Sequence, residues 1–267
     1  MPLLTSRNYL IGVIEIINKK DDTGKTVPFT ENDLLYVKHF SHIAAGAIER
    51  ASMTREIILR MIKMTELRAP KETGPHVNKV GAYSVSIYRE WAKKKDIPAK
   101  KAEKYTDTLK IAAMLHNLGK VGISDTILKK PARLTEEERR AIMYHPVIGA
   151  QLFENKTSDM DMMSAQIALN HHEKWNGEGY PGKIDNIYSD NVKLGKGKKS
   201  QDIPLAGRIV AIADVYDALV SKRTYKDGWT EEKVLKLIKE EAGQHFDPEL
   251  VDYFLNVQES VKAIKKN

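Results

Sequence analysis

Residues 170–182 read N-H-H-E-K-W-N-G-E-G-Y-P-G, and two adjacent imidazoles running into a glycine-rich turn are a pattern able to bind a metal ion. Neighbouring side chains on a helix point about 100° apart, so His171 and His172 suit two different ligand positions better than one packing face. Gly177, Gly179, Pro181 and Gly182 surround Tyr180 and shape a turn that reads as the wall of a site. Taken alone, the pair is equally readable as two polar surface residues. Three further histidines, His76, His116 and His145, lie near expected helix ends or on an apolar face, each in a stretch that contains Gly or Pro. Singly, each reads as a core histidine with a satisfied hydrogen bond. Five together with Glu72 and Asp214, in a chain with no cysteine, favour a multi-metal His/carboxylate site. His39 and His42 read as ordinary residues of a long helix, and His245 as a turn residue.

The elements that must position these groups are mostly helical. Residues 9–18 are β-branched and apolar and predict a strand. Thr30 to Asp33 resembles a capping box, and apolar residues then recur from Leu34 to about Leu67, a helix long enough to serve as a signalling or dimerising stalk. The residues from Pro70 to Pro75 break it. A second apolar stripe begins at Val77, Val80 and Tyr83. Leu109, Ala112, Ala113 and His116 share one helical face, so His116 points where a core residue belongs and needs a partner. Gly119 reads as a helix C-cap, and Thr135 to Glu138 caps another helix, expected to end at His145-Pro146. Residues 183–201 read as a polar, mobile loop. Residues 203–220 are apolar nearly all round, with Asp214 and Asp217 embedded; such carboxylates are rarely unpaired.

Composition narrows the function classes. A chain of 267 residues can bury one sizeable core or two unequal ones. Without cysteine there are no disulfides and no thiolate metal sites, which suits a reducing cytosol and an expected cytoplasmic location. No apolar run is long enough to span a bilayer. The net charge of +7 favours anionic partners such as nucleotides or nucleic acid, but the Lys and Arg are scattered and read as a solvated surface, and no DNA or RNA partner is expected.

The motifs E-T-G-P-H-V (72–77), A-A-M-L-H-N-L-G-K-V-G-I (112–123), Y-H-P-x-x-G-A (144–150), H-H-E-K-W-N-G-E-G-Y-P-G (171–182), I-P-L-A-G-R-I-V-A-I-A-D-V-Y-D-A-L (203–219), K-R-T-Y (222–225) and F-D-P-E-L-V (246–251) occur in that order. Together they resemble an HD-GYP domain, a class of HD-superfamily hydrolases that cleave cyclic di-GMP. The first 50 residues are similar to the last strand and helix of a GAF sensor domain. The expected architecture is therefore mainly α: a partial GAF-like α/β segment over 1–50, a helical stalk over 51–68 and an HD-type helical bundle over 69–260.

The resemblance implies metal ligands at His76, His116, residue 117, His145, His171, His172 and Asp214, with Glu72 admitting a third ion. It implies two or three divalent ions, Fe or Mn. His116, residue 117, Lys120 and Asp214 would form the catalytic set. Lys120, Arg223 and Lys226 would hold the substrate phosphates, Asp217 would support them, and Tyr180 would help place the substrate. The Gly179-Tyr180-Pro181 loop would also contact diguanylate cyclase domains, and the long helix would make a homodimer. Two cations about 3.5–4 Å apart can activate water for in-line attack on phosphorus and neutralise the developing charge.

One position departs from the pattern. The family's namesake pair is His-Asp, and here it is His116-Asn117. A carboxylate offers two anionic oxygens to bridge two ions, whereas an amide offers one neutral carbonyl oxygen. The expectation is weaker binding or loss of one metal. The leading reading is metal-dependent hydrolysis of cyclic di-GMP to its linear dinucleotide or to GMP, possible even with Asn117 if the other ligands still hold two ions. The alternatives are a catalytically silent cyclic di-GMP receptor or interaction module, and a different nucleotide phosphohydrolase of the HD superfamily.

Overall fold

The computed structural model describes residues 1–68, 74–221 and 228–266. Residues Met1–Met61 and Ile62–Asn267 form separate compact units. In the first, β1 (Pro2–Leu4) pairs antiparallel with β2 (Leu10–Val13), and helix α1 (Glu31–Arg68) begins there and runs on past Met61. β1 was not anticipated, and β2 stops well short of the apolar run that predicted it. Among the described residues β2 pairs with β1 alone; Ile14 still exchanges backbone hydrogen bonds with Met1, and Ile16 and Ile17 are left exposed. The start of α1 follows its capping signal: Asp33 Oδ2 accepts from the Thr30 backbone N–H and hydroxyl at 2.6 and 2.7 Å. Lys19 pairs with the same carboxylate at 2.5 Å. α1 is one continuous helix, as the apolar pattern from Leu34 to about Leu67 predicts.

The second unit is a helical bundle. Its elements are α2 (Gly74–Lys94), α3 (Ala99–Met114), a 3-10 segment (Leu118–Gly122), α4 (Asp125–Leu128), α5 (Glu136–Ile142), α6 (His145–Gln151), α7 (Asp159–Asn170), α8 (Leu205–Val220), α9 (Glu231–Glu240), α10 (Pro248–Asn256) and α11 (Gln258–Lys266). α8 is the axis of the core. Its all-round apolar sequence buries Ile209, Val210, Ile212, Ala213 and Tyr216 between α2, α7 and α9. α3 lies along α2, and α10 and α11 cover the other side of α2.

Two local expectations are corrected. The Thr135–Glu138 capping box forms, yet its helix ends at Ile142, and His145-Pro146 instead opens α6 with proline in the first turn, where its missing N–H costs nothing. Gly119 is not a cap, because α3 already ends at Met114. It is the crossing point of the 3-10 segment with α6: a Cβ there would sit 1.9 Å from the His145 carbonyl oxygen and 2.3 Å from the Gly149 nitrogen. No side chain fits, and the close crossing is what brings His116 and His145 to one place.

Candidate metal centre

Four helix ends and one mid-helix carboxylate converge on the site. His116 follows the last turn of α3, His145 opens α6, His171 and His172 follow α7, His76 lies in the first turn of α2, and Asp214 lies within α8. Their ligand atoms fall into two groups, His76, His116 and Asp214 in one and His145, His171 and His172 in the other; within each, the atoms lie within 4.8 Å of one another. The structure thus brings together six of the residues expected to hold metal. Asn117, buried beside His116, is the seventh. Glu72, Arg223 and Lys226 lie outside the described residues.

The histidines are oriented by their own backbone. His116 Nδ1 donates to the Ala113 carbonyl at 2.7 Å, His145 Nδ1 to that of Ile142 at 2.7 Å, and His171 Nδ1 to that of Ala168 at 2.9 Å. Burial keeps His145 and His171 neutral, and a neutral imidazole has a single N–H, so the Nε2 of each of these two carries a lone pair into the site. His145 Nε2 and His171 Nε2 are 3.3 Å apart. Two lone pairs at that distance repel, and no proton is left to join them. Nitrogens bound to one cation at about 2.0–2.1 Å are spaced about 3–3.5 Å apart, which matches. Burial pushes His145, His171 and His172 well below the ordinary histidine value, and Lys120 adds to the effect on each.

His76 is different. Its Nδ1 donates to Asp217 Oδ2 at 2.7 Å, and its Nε2 faces Asp214 Oδ1 at 3.3 Å. Burial opposes its charge, but the two carboxylates prevail and raise it to about 10. Burial likewise works against the Asp214 anion, and the hydrogen bonds from His116 and His76 overcome it, holding the carboxyl well below its ordinary value. A proton on His76 therefore stands where a cation would compensate Asp214. Asp217 is 1% exposed and lies behind His76. From that placement it orients the His76 imidazole.

Asn117 Nδ2 lies 2.7 Å from His116 Nε2, while its Oδ1 is buried with no hydrogen-bond partner. A buried carbonyl oxygen without a partner is costly, and beside imidazole lone pairs it is a donor suited to a cation. The inward Nε2 atoms, Asp214 and this oxygen fit two divalent ions, and nitrogen and oxygen donors without thiolate suit transition metals of intermediate hardness.

Tyr180 closes one side of the site. Its ring stacks on His172 at 4.8 Å between centroids and 22° between planes, and its N–H donates to the His172 carbonyl. The loop that carries it is held by Glu173, which sequence reasoning missed. The buried Glu173 carboxylate accepts from the Gly182 N–H at 2.6 Å and the Lys198 N–H at 2.9 Å, and so ties the turn to the far end of the 183–201 segment. Lys198 Nζ donates to Asn170 Oδ1 at 2.6 Å. The segment expected to be a mobile loop is irregular but bonded at both ends. The available signal was an acid directly after two candidate ligands and before a run of glycines.

The family model for the HD domain matches residues 73–219, and a second HD domain model matches residues 194–250. The chain is 36% identical over 216 residues to a cyclic di-GMP phosphodiesterase of Vibrio cholerae serotype O1, covering 79% of this chain and 41% of that protein. It is 34% identical over 207 residues to a cyclic di-GMP phosphodiesterase of Thermotoga maritima, covering 78% and 50%. It is 33% identical over 218 residues to a 3'3'-cGAMP-specific phosphodiesterase of V. cholerae, covering 82% and 37%. The chain thus spans half or less of the length of these three relatives. The fold is similar to that of a cyclic GMP-AMP phosphodiesterase of V. cholerae, with a TM-score of 0.50 at 16% identity over 76% of this chain and 48% of that one. The two ligand clusters lie within the matched residues, and the chain belongs to the HD domain family.

Proposed function

We propose that this chain is a metal-dependent phosphodiesterase of the HD-GYP type that hydrolyses cyclic di-GMP. The observation that carries the reading is the pair of three-ligand clusters in an HD domain, one of them built around a carboxylate. His76, His116 and Asp214 would hold one divalent ion, and His145, His171 and His172 the other, with Asn117 Oδ1 as an added donor; Fe or Mn suits these ligands. Bound cations would supply Lewis-acid polarisation of a phosphate and a lowered water pKa. The protein's own part is to aim the imidazoles through backbone carbonyls, to exclude water by burial and to keep Lys120 near the anion. The stacked Tyr180 would present a face to a purine base. Arg223 and Lys226 would meet the phosphates, Glu72 would admit a third ion, and the Gly179-Tyr180-Pro181 loop would serve a cyclase-domain contact.

The test is anaerobic turnover of cyclic di-GMP with Fe or Mn, for this chain beside Asn117→Asp. Turnover by both makes this sequence an enzyme as it stands. Turnover by the Asp form alone favours the second reading, a receptor, which rests on Asn117. Turnover by neither, at any Fe, Mn or Co loading, rejects the phosphodiesterase reading.

We also propose homodimerisation through α1. Tyr36, Phe40, Ile43, Ala47, Ile57 and Met61 recur at alternating four- and three-residue steps with Arg50 and Thr54 between them, and all are exposed, whereas Ser41 and Ala45 on the opposite side are buried. Light scattering should give twice the chain mass, and Phe40→Glu with Ile43→Glu should halve it. A wild-type monomer at high concentration rejects the dimer.

A further inference from the structure

His172 is the imidazole of its cluster that its own helix does not aim. His145 and His171 each donate Nδ1 to a carbonyl three residues back, whereas the His172 ring makes no hydrogen bond among the described residues. It is held by its neighbours, the His171 ring at 4.0 Å and the stacked Tyr180 ring at 4.8 Å between centroids. Its direction therefore follows the backbone that carries it, and that backbone has left α7 at Asn170. Lys198 grips this stretch on both sides. Its backbone N–H donates to Glu173 Oε2 at 2.9 Å and its Nζ to Asn170 Oδ1 at 2.6 Å, so one residue bonds both neighbours of the His171–His172 pair. Asn170 and Glu173 are themselves buried.

The grip has a fixed base. The Lys183 N–H donates to the Lys196 carbonyl and the Gly195 N–H to the Pro181 carbonyl, both at 2.9 Å. A Cβ at Gly195 would meet the Lys183 carbonyl oxygen at 1.8 Å, and one at Gly197 the Gly177 carbonyl oxygen at 2.2 Å, so the chain entering Lys198 lies flush against the Tyr180 loop. A lysine on an open surface needs no such seat. Here burial works against the ammonium, a cost that the bond to Asn170 and the nearby Glu173 carboxylate reduce. Resting on the reading of His145, His171 and His172 as a metal site of a phosphodiesterase, we propose that Lys198 is the residue that positions the His171–His172 pair for its ion. It acts through Asn170 and Glu173 rather than on the ion. Without the ammonium, Asn170 and the backbone after it are free to turn, and the His172 imidazole loses its direction first.

The experiment compares the full chain as wild type, Lys198→Met, Asn170→Ala and the double variant, with Lys198→Arg restoring a cationic donor. Mn(II) binding is read by electron paramagnetic resonance, the second ion being the one that His171→Ala abolishes. Lys198→Met should weaken that ion roughly tenfold, the lower end of the cost of losing support behind a ligand, and leave the ion at His76, His116 and Asp214 unchanged. Lys198→Arg should recover most of the loss. The double variant should bind no more weakly than the poorer single one, because both remove the same bond. If Lys198→Met misfolds, Asn170→Ala decides from the other side of that bond. In NMR spectra of the imidazole nitrogens of the metal-free chain, Lys198→Met should move the His172 signals and leave those of His76 in place. Equal weakening of both ions, or unchanged affinities with only a lower urea midpoint, would overturn the proposal. A wild type that takes up no ion at the second cluster defeats the metal reading instead. The imidazole signals then decide, and unmoved His172 signals overturn the positioning role.

Discussion

Asp217 shows how much one buried carboxylate decides. It fixes the His76 ring and leaves Nε2 facing Asp214. Removing it in Asp217→Ala should weaken metal binding at the His76 cluster by roughly 10–100-fold, the usual cost of losing such support, without altering the ion at His145, His171 and His172. Asp217→Asn keeps an acceptor and should lose less; site-resolved Mn(II) affinities check both. A second residue-scale prediction concerns pH. The hydrogen bond from Lys19 is the chief cause lowering Asp33 from 3.8 to about 2, and Thr30 adds to it. A depressed carboxyl favours folding above its unfolded value and loses that contribution as pH falls through the folded one. Carbon-detected NMR should place the Asp33 midpoint near 2, and Lys19→Ala should move it toward 3.8. No upward movement would remove the pairing.

At the scale of elements, the Gly119 crossing is the tightest constraint behind the site. Gly119→Ala forces a methyl into the His145 carbonyl. It should destabilise the chain by about 1–3 kcal/mol, the usual cost of overpacking, with loss of the ion that depends on His145, read by urea denaturation and metal content. Here the limits of reading a sequence become physical. His116 was legible as a chemical residue because it interrupts an apolar helical face, and the caps at Thr30 and Thr135 were legible because capping is local. Gly119 was misread because a close approach between segments leaves no local trace, and glycine after a helix is most often a cap. β1 and the early end of β2 were missed because pairing is set by a partner strand. The division of ligands into two groups was beyond reach for the same reason: His76 and Asp214 stand far apart in sequence and meet only through α2 packing on α8.

For the molecule as a whole, the site is assembled by helices that have their own reasons to fold. The core around α8 is apolar and continuous, and the ligands sit at its edge. The three imidazoles aimed by Ala113, Ile142 and Ala168 take their direction from carbonyls three residues back in the chain. These bonds form without an ion. In small zinc domains, by contrast, metal binding and folding are one event and a chelator unfolds the protein. We predict that an ion here can leave and return without the chain losing its shape, so that reloading is a matter of exchange rather than refolding. Stripping with EDTA should leave the far-UV circular dichroism spectrum unchanged and the thermal transition cooperative, and Mn(II) added back should bind without a slow phase. Loss of helix on chelation would mean that the cation is part of the core.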